Sequence, residues 1–358
     1  MMNDKRFGAL VLVFLLLFLA ACGRGEPEPV YTPEPEPTPT SVETPAPTPT
    51  PDARPRNPLT GELVDEDISQ MRPWAVLLNN IQRALPQDGI GRADIIYEMP
   101  VEGGITRILA LFQDIEGVGV IGPVRSARHY FLDIVQGHDA IFVHAGGSPQ
   151  AYAEIRGRGV PNIDGVLGSG REFYRDQERG SRAGFEHSLM TTDELLLEHV
   201  DNFGYRREHE PGFSTRLAFV DDGTPKDGQA AREVSVRFSN VKTGVFTLDQ
   251  ATGLYRVSQF GEPHIDGVTE AQLQVANVLV LWASFRAIDD EGRLGVDLNQ
   301  GGEGYFISGG QAVPIRWTKG GYTMPFVFSH MDGSPLELTV GQSYVNIVNS
   351  NTGEVTFG

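Results

Sequence analysis

The chain has 358 residues and a formal net charge of −18, from 47 acidic and 29 basic residues. This acidity argues against nucleic acid or an anionic membrane surface as a partner of the folded body, since both require a basic footprint. Cys22 is the one cysteine, which excludes disulfides, a cysteine-based metal site and a thiol nucleophile from the mature domains.

The N-terminus has the layout of a secretory signal. Two basic residues precede an apolar run from Ala9 to Ala21, which is shorter than the roughly 20 residues of a spanning helix. The run ends in "LAAC", which resembles the lipobox of bacterial lipoproteins, where lipid is attached to the cysteine. We therefore expect a lipoprotein signal over residues 1–22, a lipid on Cys22, and an extracytoplasmic protein anchored to the outer face of the membrane.

A tether and two domains are expected after the signal. Residues 23–56 are rich in Pro, Thr and Glu and lack periodic apolar residues, so they cannot bury a core and are expected to be disordered. A shift in composition divides the remainder into an α/β domain over 57–208 and a β-rich domain over 209–358. The overall fold class is therefore expected to be α+β.

The first domain alternates predicted strands and helices. Runs rich in Val, Ile, Leu and Phe predict strands over residues 74–78, 94–97, 105–112, 117–121 and 140–144. Helices are predicted from a cap at Ser126 to Gly137, over 150–156, and from a cap at Thr192 to Phe203. This order predicts an α/β arrangement with a mixed sheet.

Two strand-to-helix corners stand out in this domain. They are "IGPVRSARHYF" at 121–131 and "HAGGSP" at 144–149, with Ser126 and Ser148 in the expected capping positions. If the two strands are parallel, both corners lie at one sheet edge, where open α/β sheets bind ligands. Helix N-termini and nearby arginines favour an anion there.

The sequence leaves two interpretations of these corners open. One is an anion-binding pocket, whose candidate ligand-binding residues are Arg107, Arg125, Ser126, Arg128, His144, Ser148 and His187. The other is a structural ion pair, in which one arginine binds Glu98 or Glu102 and holds the sheet edge while the other arginine is solvated.

Several motifs in order resemble the YerB-like lipoprotein family, a bacterial family of unknown function. They are "NPLTGE" at 57–62, "RPWAVLLNN" at 72–80, "ADIIYEMPVEGGITRILALFQD" at 93–114, "IGPVRSARHYF" and "DAIFVHAGGSPQAY" at 139–152, with "NVLVLW", "DEGR" and "PIRWTK" in the second half. The resemblance implies two domains, export and a lipid anchor, without an established activity. The chain departs from the family at Glu186-His187-Ser188-Leu189, where the family tends to have Pro-His-Asn-Leu.

Two carboxylates and a histidine of the first domain are candidates for catalysis. Glu98 and Glu102 could act as the acid and base of glycan hydrolysis, with His144 carrying a proton. Pro100 argues against a helix that would place both carboxylates on one face. Arginine-paired carboxylates and a histidine that fixes its turn are the alternatives. Ser148 is a poor nucleophile, because a capping serine uses its oxygen on backbone amides.

Neither a metal nor a cofactor is expected. The eight histidines are scattered, without ligand spacing. Residues 117–122 match G-x-G-x-x-G, the fingerprint of dinucleotide-binding sites, which must follow a strand and open directly into a helix. Here the glycines alternate with Val and Ile as in a strand, and Pro123 separates them from the following helix. A dinucleotide cofactor is therefore not expected.

The second domain reads as short strands separated by glycine turns. The strand-like segments are "EVSVRFS", "VFTLD", "LYRVSQF", "QVANVLVLWASFRAI", "GYFISG", "AVPIRWT", "FVFS" and "SYVNIV". They predict a sandwich or barrel-like domain.

Three functions remain in competition. The first is an envelope protein that binds an anionic cell-wall polymer or envelope protein at the corners. The second is a hydrolase of peptidoglycan or another envelope glycan. The third is a solute-binding lipoprotein, which is disfavoured because such proteins usually have two similar lobes. The basic cluster favours binding, since no set of acid, base and nucleophile has convincing spacing.

Overall fold

The computed structural model describes residues 53–168 and 170–358, together with Val30. The predicted signal, Cys22 and most of the predicted tether lie outside the described residues. The elements of the first half are β1 (Trp74–Asn80), β2 (Ile95–Pro100), β3 (Thr106–Phe112), β4 (Val120–Ile121), α1 (Phe131–Gly137), β5 (Ile141–His144), α2 (Pro149–Arg158), β6 (Asn162–Asp164), β7 (Tyr174–Arg175), α3 (Gln177–Ala183), β8 (Leu189–Thr192) and α4 (Asp193–Phe203).

The second half consists of strands. They are β9 (Phe219–Val220), β10 (Gln229–Ala230), β11 (Glu233–Ser239), β12 (Lys242–Leu248), β13 (Tyr255–Gln259), β14 (Glu262–Pro263), β15 (Gln274–Val275), β16 (Asn277–Ala287), β17 (Leu294–Asp297), β18 (Gly302–Ser308), β19 (Gln311–Thr318), β20 (Val327–His330), β21 (Leu338–Thr339), β22 (Ser343–Asn349) and β23 (Glu354–Phe357). The predicted strand segments overlap these elements, and the α+β class is confirmed. The strand predicted over residues 117–121 is shorter than expected, because residues 116–117 form a turn and only Val120–Ile121 pair as a strand.

One mixed sheet of twelve strands runs through both halves. Its order is β10-β19-β18-β16-β22-β2-β3-β1-β5-β6, with β17 beside β16 and β20 beside β19. Trp74 of β1 lies opposite Phe112 of antiparallel β3 and Ile141 of parallel β5, so the predicted mixed sheet is confirmed. Strand β22 lies parallel to β2. The two predicted domains therefore share this sheet, and their division at residues 208 and 209 stays a prediction.

Both faces of the large sheet are covered, which explains the continuous apolar run in β1. Trp74, Val76 and Leu78 point into one core, whereas Ala75 and Leu77 point into the other. The first core also contains side chains of α4 and of a second sheet, and the other core contains side chains of α1 and α2.

The second sheet has six strands and packs on one face of the first. Its order is β14-β13-β12-β11-β23, with β15 beside β13. Val236 of β11 and Phe246 of β12 point inward, and the Phe246 ring lies 5.1 Å from the ring of Tyr344 in β22. The alternation of buried and exposed residues along β11 is typical of a sheet with one solvated face.

Two of the three predicted helix starts are confirmed and one is wrong. Thr192 and Ser148 cap α4 and α2, as predicted. The predicted cap at Ser126 is wrong, because α1 begins at Phe131 and no side chain caps it. The chain before α1 is held in strand-like pairing by bridges of Val124 with Leu78 and of Ala127 with Gly147, so it cannot begin a helix at Ser126. Among the described residues, no helix combines the length and apolar character needed to cross a bilayer.

Candidate functional site

The two predicted corners lie side by side. Ala127 and Gly147 form a parallel bridge. The Ala127 amide donates to the Gly146 carbonyl at 2.8 Å, and the Ser148 amide donates to the Ala127 carbonyl at 3.1 Å. The two corners therefore meet, through backbone pairing. The expectation that they lie at one edge of a shared parallel sheet is wrong, because β4 pairs with β8 in a separate three-stranded sheet, whereas β5 lies in the large sheet.

A cleft of about 520 Å³ opens where the corners meet, and we call it the corner cleft. It combines two arginines, a glutamate, backbone of the glycine turn and several apolar side chains. Its lining residues are Val124, Arg125, Ser126, Ala145, Gly146, Gly147, Tyr152, Val166, Leu167, Arg175, Phe185, Glu186 and Leu189.

The two arginines of the corner cleft bind backbone carbonyls. Arg125 donates from Nη1 to the carbonyl of Glu186 at 3.0 Å, and Arg175 donates from Nη1 to the carbonyl of Phe185 at 2.6 Å. The Arg175 guanidinium also lies 3.9 Å from the centre of the Phe185 ring. Within the described residues, no carboxylate oxygen lies within 4.0 Å of either guanidinium. Neither positive charge is therefore matched by a contacting acid from the described part of the chain.

Several arginines lie close enough together in this region to lower one another's pKa. Burial lowers the pKa of Arg125; Glu186 opposes this lowering, whereas Arg128 and Arg175 add to it. Arg107, which is 6% exposed, donates from Nη1 to the Ser126 carbonyl at 2.7 Å. Its pKa falls to about 9 through burial and through the nearby charge of Arg128. The buried Arg107 thus holds the Ser126 backbone and adds a further positive charge next to the corner cleft.

Arg128 forms the structural ion pair that the sequence left open. Its Nε and Nη2 donate to the two carboxylate oxygens of Glu102 at 2.6 and 2.8 Å. Burial raises the pKa of Glu102, but the hydrogen bonds and charge of Arg128 outweigh burial, and the net pKa is lowered. The bidentate geometry occupies the Arg128 guanidinium with Glu102. Of the two interpretations that the sequence left open, the structural ion pair therefore applies to Arg128, while Arg125 faces the cleft.

His187 lies behind Arg125. The ring is 3% exposed, its Nδ1 accepts from the Asn79 amide at 2.7 Å, and its Nε2 lies 3.3 Å from a Glu186 oxygen. Burial lowers the pKa of His187, and the positive charge of Arg125 lowers it further. The ring therefore acts as a neutral spacer between the strand β1 and the segment that carries Glu186.

The expected exposure of His144 at the sheet edge is wrong. Its ring is 0% exposed and stacks on Phe142 at 4.7 Å. Nδ1 lies 2.9 Å from the Gly146 carbonyl, and Nε2 lies 3.0 Å from the Asn162 side-chain oxygen. His144 fixes the glycine turn and cannot reach a bound ligand. Ser148 is also enclosed, and its Oγ accepts from the Ala151 amide at 3.1 Å.

Glu98 is enclosed on a different face of the sheet. Its carboxylate is 1% exposed and accepts hydrogen bonds from Asn80 at 2.8 Å, Thr106 at 2.5 Å and Tyr344 at 2.5 Å. Lys242 of β12 lies 3.1 Å from the same carboxylate. Burial lowers the pKa of Lys242, and Glu98 opposes that lowering.

Glu98 does not meet the arginines of the corner cleft. Glu98 shares the face of Ile96, which packs in the core under the second sheet, whereas Arg107 shares the face of Leu109 in the other core. Since Glu98 is closed to solvent and Glu102 is held by an arginine, this geometry gives no support to the two carboxylates as a pair acting on a glycan.

Sequence reasoning missed two residues of the corner cleft region. Arg175 lies in β7, where the sequence predicts no element. Asp164 holds the glycine turn, because it accepts from the Gly146 amide at 2.7 Å and from the Tyr152 hydroxyl at 2.9 Å. No local pattern marks either residue, since each meets the corners only through the pairing of distant strands. Among the described residues, no group of three His, Cys, Asp or Glu side chains is arranged to hold a metal ion.

Comparisons with known proteins place the chain in a family. The family model described as "Protein of unknown function (DUF3048) N-terminal domain" matches residues 59–206, and the corresponding C-terminal domain matches residues 234–345. The chain is 31% identical over 296 residues to "Putative lipoprotein YerB" of Bacillus subtilis (strain 168), covering 81% of this chain and 85% of that protein. A crystal structure of the YerB protein from Bacillus subtilis aligns with a TM-score of 0.73 and 28% identity, over 84% of this chain and 99% of that chain.

Proposed function

Because the chain belongs to the YerB-like lipoprotein family, we propose that it is an extracytoplasmic protein, lipid-anchored at Cys22, whose corner cleft binds an anionic group of an envelope polymer or partner protein. The tether over residues 23–56 would hold the folded body away from the membrane surface.

The proposal rests on the contacts that Arg125 and Arg175 make in the corner cleft. Both guanidinium groups line the corner cleft, both contact backbone carbonyls, and neither is within 4.0 Å of a carboxylate of the described residues. In a chain of net charge −18, acids to pair with them are plentiful. Arginines left without a contacting acid in a cleft are suited to binding an external carboxylate or phosphate.

The roles of the other candidate residues are narrower. Ser126 lines the cleft, and its carbonyl is held by Arg107. Arg128 and His144 support the corners from outside the cleft lining, through the Glu102 pair and the glycine turn. We assign direct contact with the anion to Arg125, Arg175 and Ser126.

Binding is favoured over hydrolysis by the position of the two candidate carboxylates. Glu98 is enclosed by four polar groups and Glu102 is held by Arg128. A general acid or base must reach the substrate within hydrogen-bond distance, and the enclosed Glu98 offers no such approach.

Retention on two immobilised envelope fractions, purified cell wall and detergent-solubilised envelope proteins, tests the proposal. The full-length protein in a nonionic detergent is compared with Arg125→Gln and Arg175→Gln. Arg256→Gln is the matched control, because Arg256 is exposed, binds Asp249 and carries the same charge. On the fraction that retains the wild type, we expect about tenfold to hundredfold weaker retention for the cleft variants and unchanged retention for the control. Equal retention of all four proteins on both fractions would reject the corner cleft as the binding site.

A further inference from the structure

We infer that the anion bound in the corner cleft is a single carboxylate next to a large apolar side chain, as at the C-terminus of a partner protein ending in a residue such as leucine. This inference rests on the proposed function and narrows its ligand to a peptide end.

The charges in the cleft match one negative charge. Arg125 and Arg175 contribute two positive charges, and the carboxylate of Glu186 in the same lining contributes one negative charge. Glu186 acts on Arg125 directly, since it raises the pKa of that arginine against the larger lowering by burial. A monoanionic carboxylate balances the net charge of these lining side chains, and the buried Arg107, which holds the Ser126 carbonyl, adds a further favourable charge for that anion.

An apolar rim borders these charges. It consists of Val166, Leu167 and Phe185, which are 58%, 69% and 68% exposed. Large apolar side chains grouped at a cleft and left in water mark a binding surface. A sugar phosphate polymer has no apolar group to cover them, while the last side chain of a peptide does.

The glycine turn offers a partner for a peptide group. Within the described residues, the amide and the carbonyl of Gly147 make no hydrogen bond, because the bridge to Ala127 uses the amide of Ser148 and the carbonyl of Gly146. Gly147 is half-buried and lines the cleft. An incoming peptide can therefore pair with it as strands pair, while its carboxylate lies against the arginines.

The size of the cleft agrees with a chain end. Its volume of about 520 Å³ lies within the range of about 300 to 1,000 Å³ that small-ligand sites occupy. It accommodates the last few residues of a peptide.

Calorimetric titration of the full-length protein with short probes tests the ligand class. The probes are N-acetyl-alanyl-leucine, its C-terminal amide, N-acetyl-alanyl-alanine and inorganic phosphate. We expect the leucine free acid to bind at least about tenfold more tightly than its amide, because the amide lacks the charge that the arginines bind. We also expect it to bind severalfold more tightly than the alanine peptide, which cannot cover the rim.

Two variants separate the inference from the proposed function. Leu167→Ser should lower the affinity for the leucine peptide about threefold to tenfold and leave the affinity for phosphate unchanged. Arg125→Gln should lower the affinity for every anionic probe. If phosphate binds as tightly as the leucine peptide and Leu167→Ser has no effect, the peptide inference is overturned and the anion site stands. If Arg125→Gln changes the binding of no probe, the proposed function is overturned as well.

Discussion

Replacement of Lys242 by methionine should be among the most destabilising single changes in this protein. Lys242 and Glu98 are each 1% exposed at their side chains and lie 3.1 Å apart. They connect β12 of the second sheet to β2 of the first. Methionine keeps most of the side-chain volume and removes the charge, together with the hydrogen bond that Lys242 donates to the Gln259 side-chain oxygen at 2.5 Å.

The expected loss in the free energy of unfolding follows from the carboxylate of Glu98, which stays buried after the substitution. Glu98 would keep its neutral donors Asn80, Thr106 and Tyr344, but its charge would be buried without a partner. Removing one member of a buried ion pair typically costs about 3 to 5 kcal/mol. We expect Lys242→Met to lower the free energy of unfolding by about that amount.

Urea unfolding followed by circular dichroism measures this cost. Lys226→Met is the matched control, because Lys226 is exposed, and it should change the free energy of unfolding by less than about 0.5 kcal/mol. The double variant Glu98→Gln with Lys242→Met should be at least about 1 kcal/mol more stable than Lys242→Met alone, because the uncompensated charge is then gone. A cost below about 1 kcal/mol for Lys242→Met, or a double variant less stable than the single one, would refute this reasoning.

Three further predictions concern the first half of the chain. Ser148→Ala should lower stability by about 1 kcal/mol through loss of a helix cap, while Ser126→Ala, which removes no cap, should change it by less than about 0.5 kcal/mol in the same urea experiment. Arg128→Gln, which breaks the bidentate pair with Glu102, should destabilise the protein by about 1 to 2 kcal/mol and leave its retention on the two envelope fractions within about threefold of wild type; a loss of retention as large as that of a cleft arginine variant would contradict its structural role. Burial raises the pKa of Asp94 from 3.8 to about 6, so the folded state binds the proton more tightly, and this group stabilises the protein as the pH falls from 6 toward 4, by up to about 3 kcal/mol. Asp94→Asn should remove that component from the pH profile of stability, and identical profiles would show that the group does not titrate as described.

The positions of the strands in this fold were predictable from the sequence, whereas the pairing of the strands was not. Strands such as β1 and β16 are marked by long runs of Val, Leu and Trp, and these runs depend only on local propensity and burial. The parallel pairing of β22 with β2 joins residues more than two hundred positions apart. No local pattern specifies such a pairing, since it is selected by packing of the whole sheet.

The candidate site was predictable in its location and less so in its members. The corners were marked by Pro123 and by the Ser148-Pro149 start of α2, and both signals are local. The partner of each arginine was not marked, because a long flexible side chain can reach acids or carbonyls from several elements. Arg128 pairs with Glu102, whereas Arg125 contacts a backbone carbonyl and no carboxylate of the described residues. Only the three-dimensional arrangement distinguishes the two arginines.

The most direct test of the account is a crystal structure of the protein with N-acetyl-alanyl-leucine bound. The account predicts electron density for the peptide in the corner cleft, with its carboxylate within hydrogen-bond distance of the guanidinium groups of Arg125 and Arg175. Peptide density at another surface, with both arginines still bound to the carbonyls of Glu186 and Phe185 and no anion between them, would contradict the central claim.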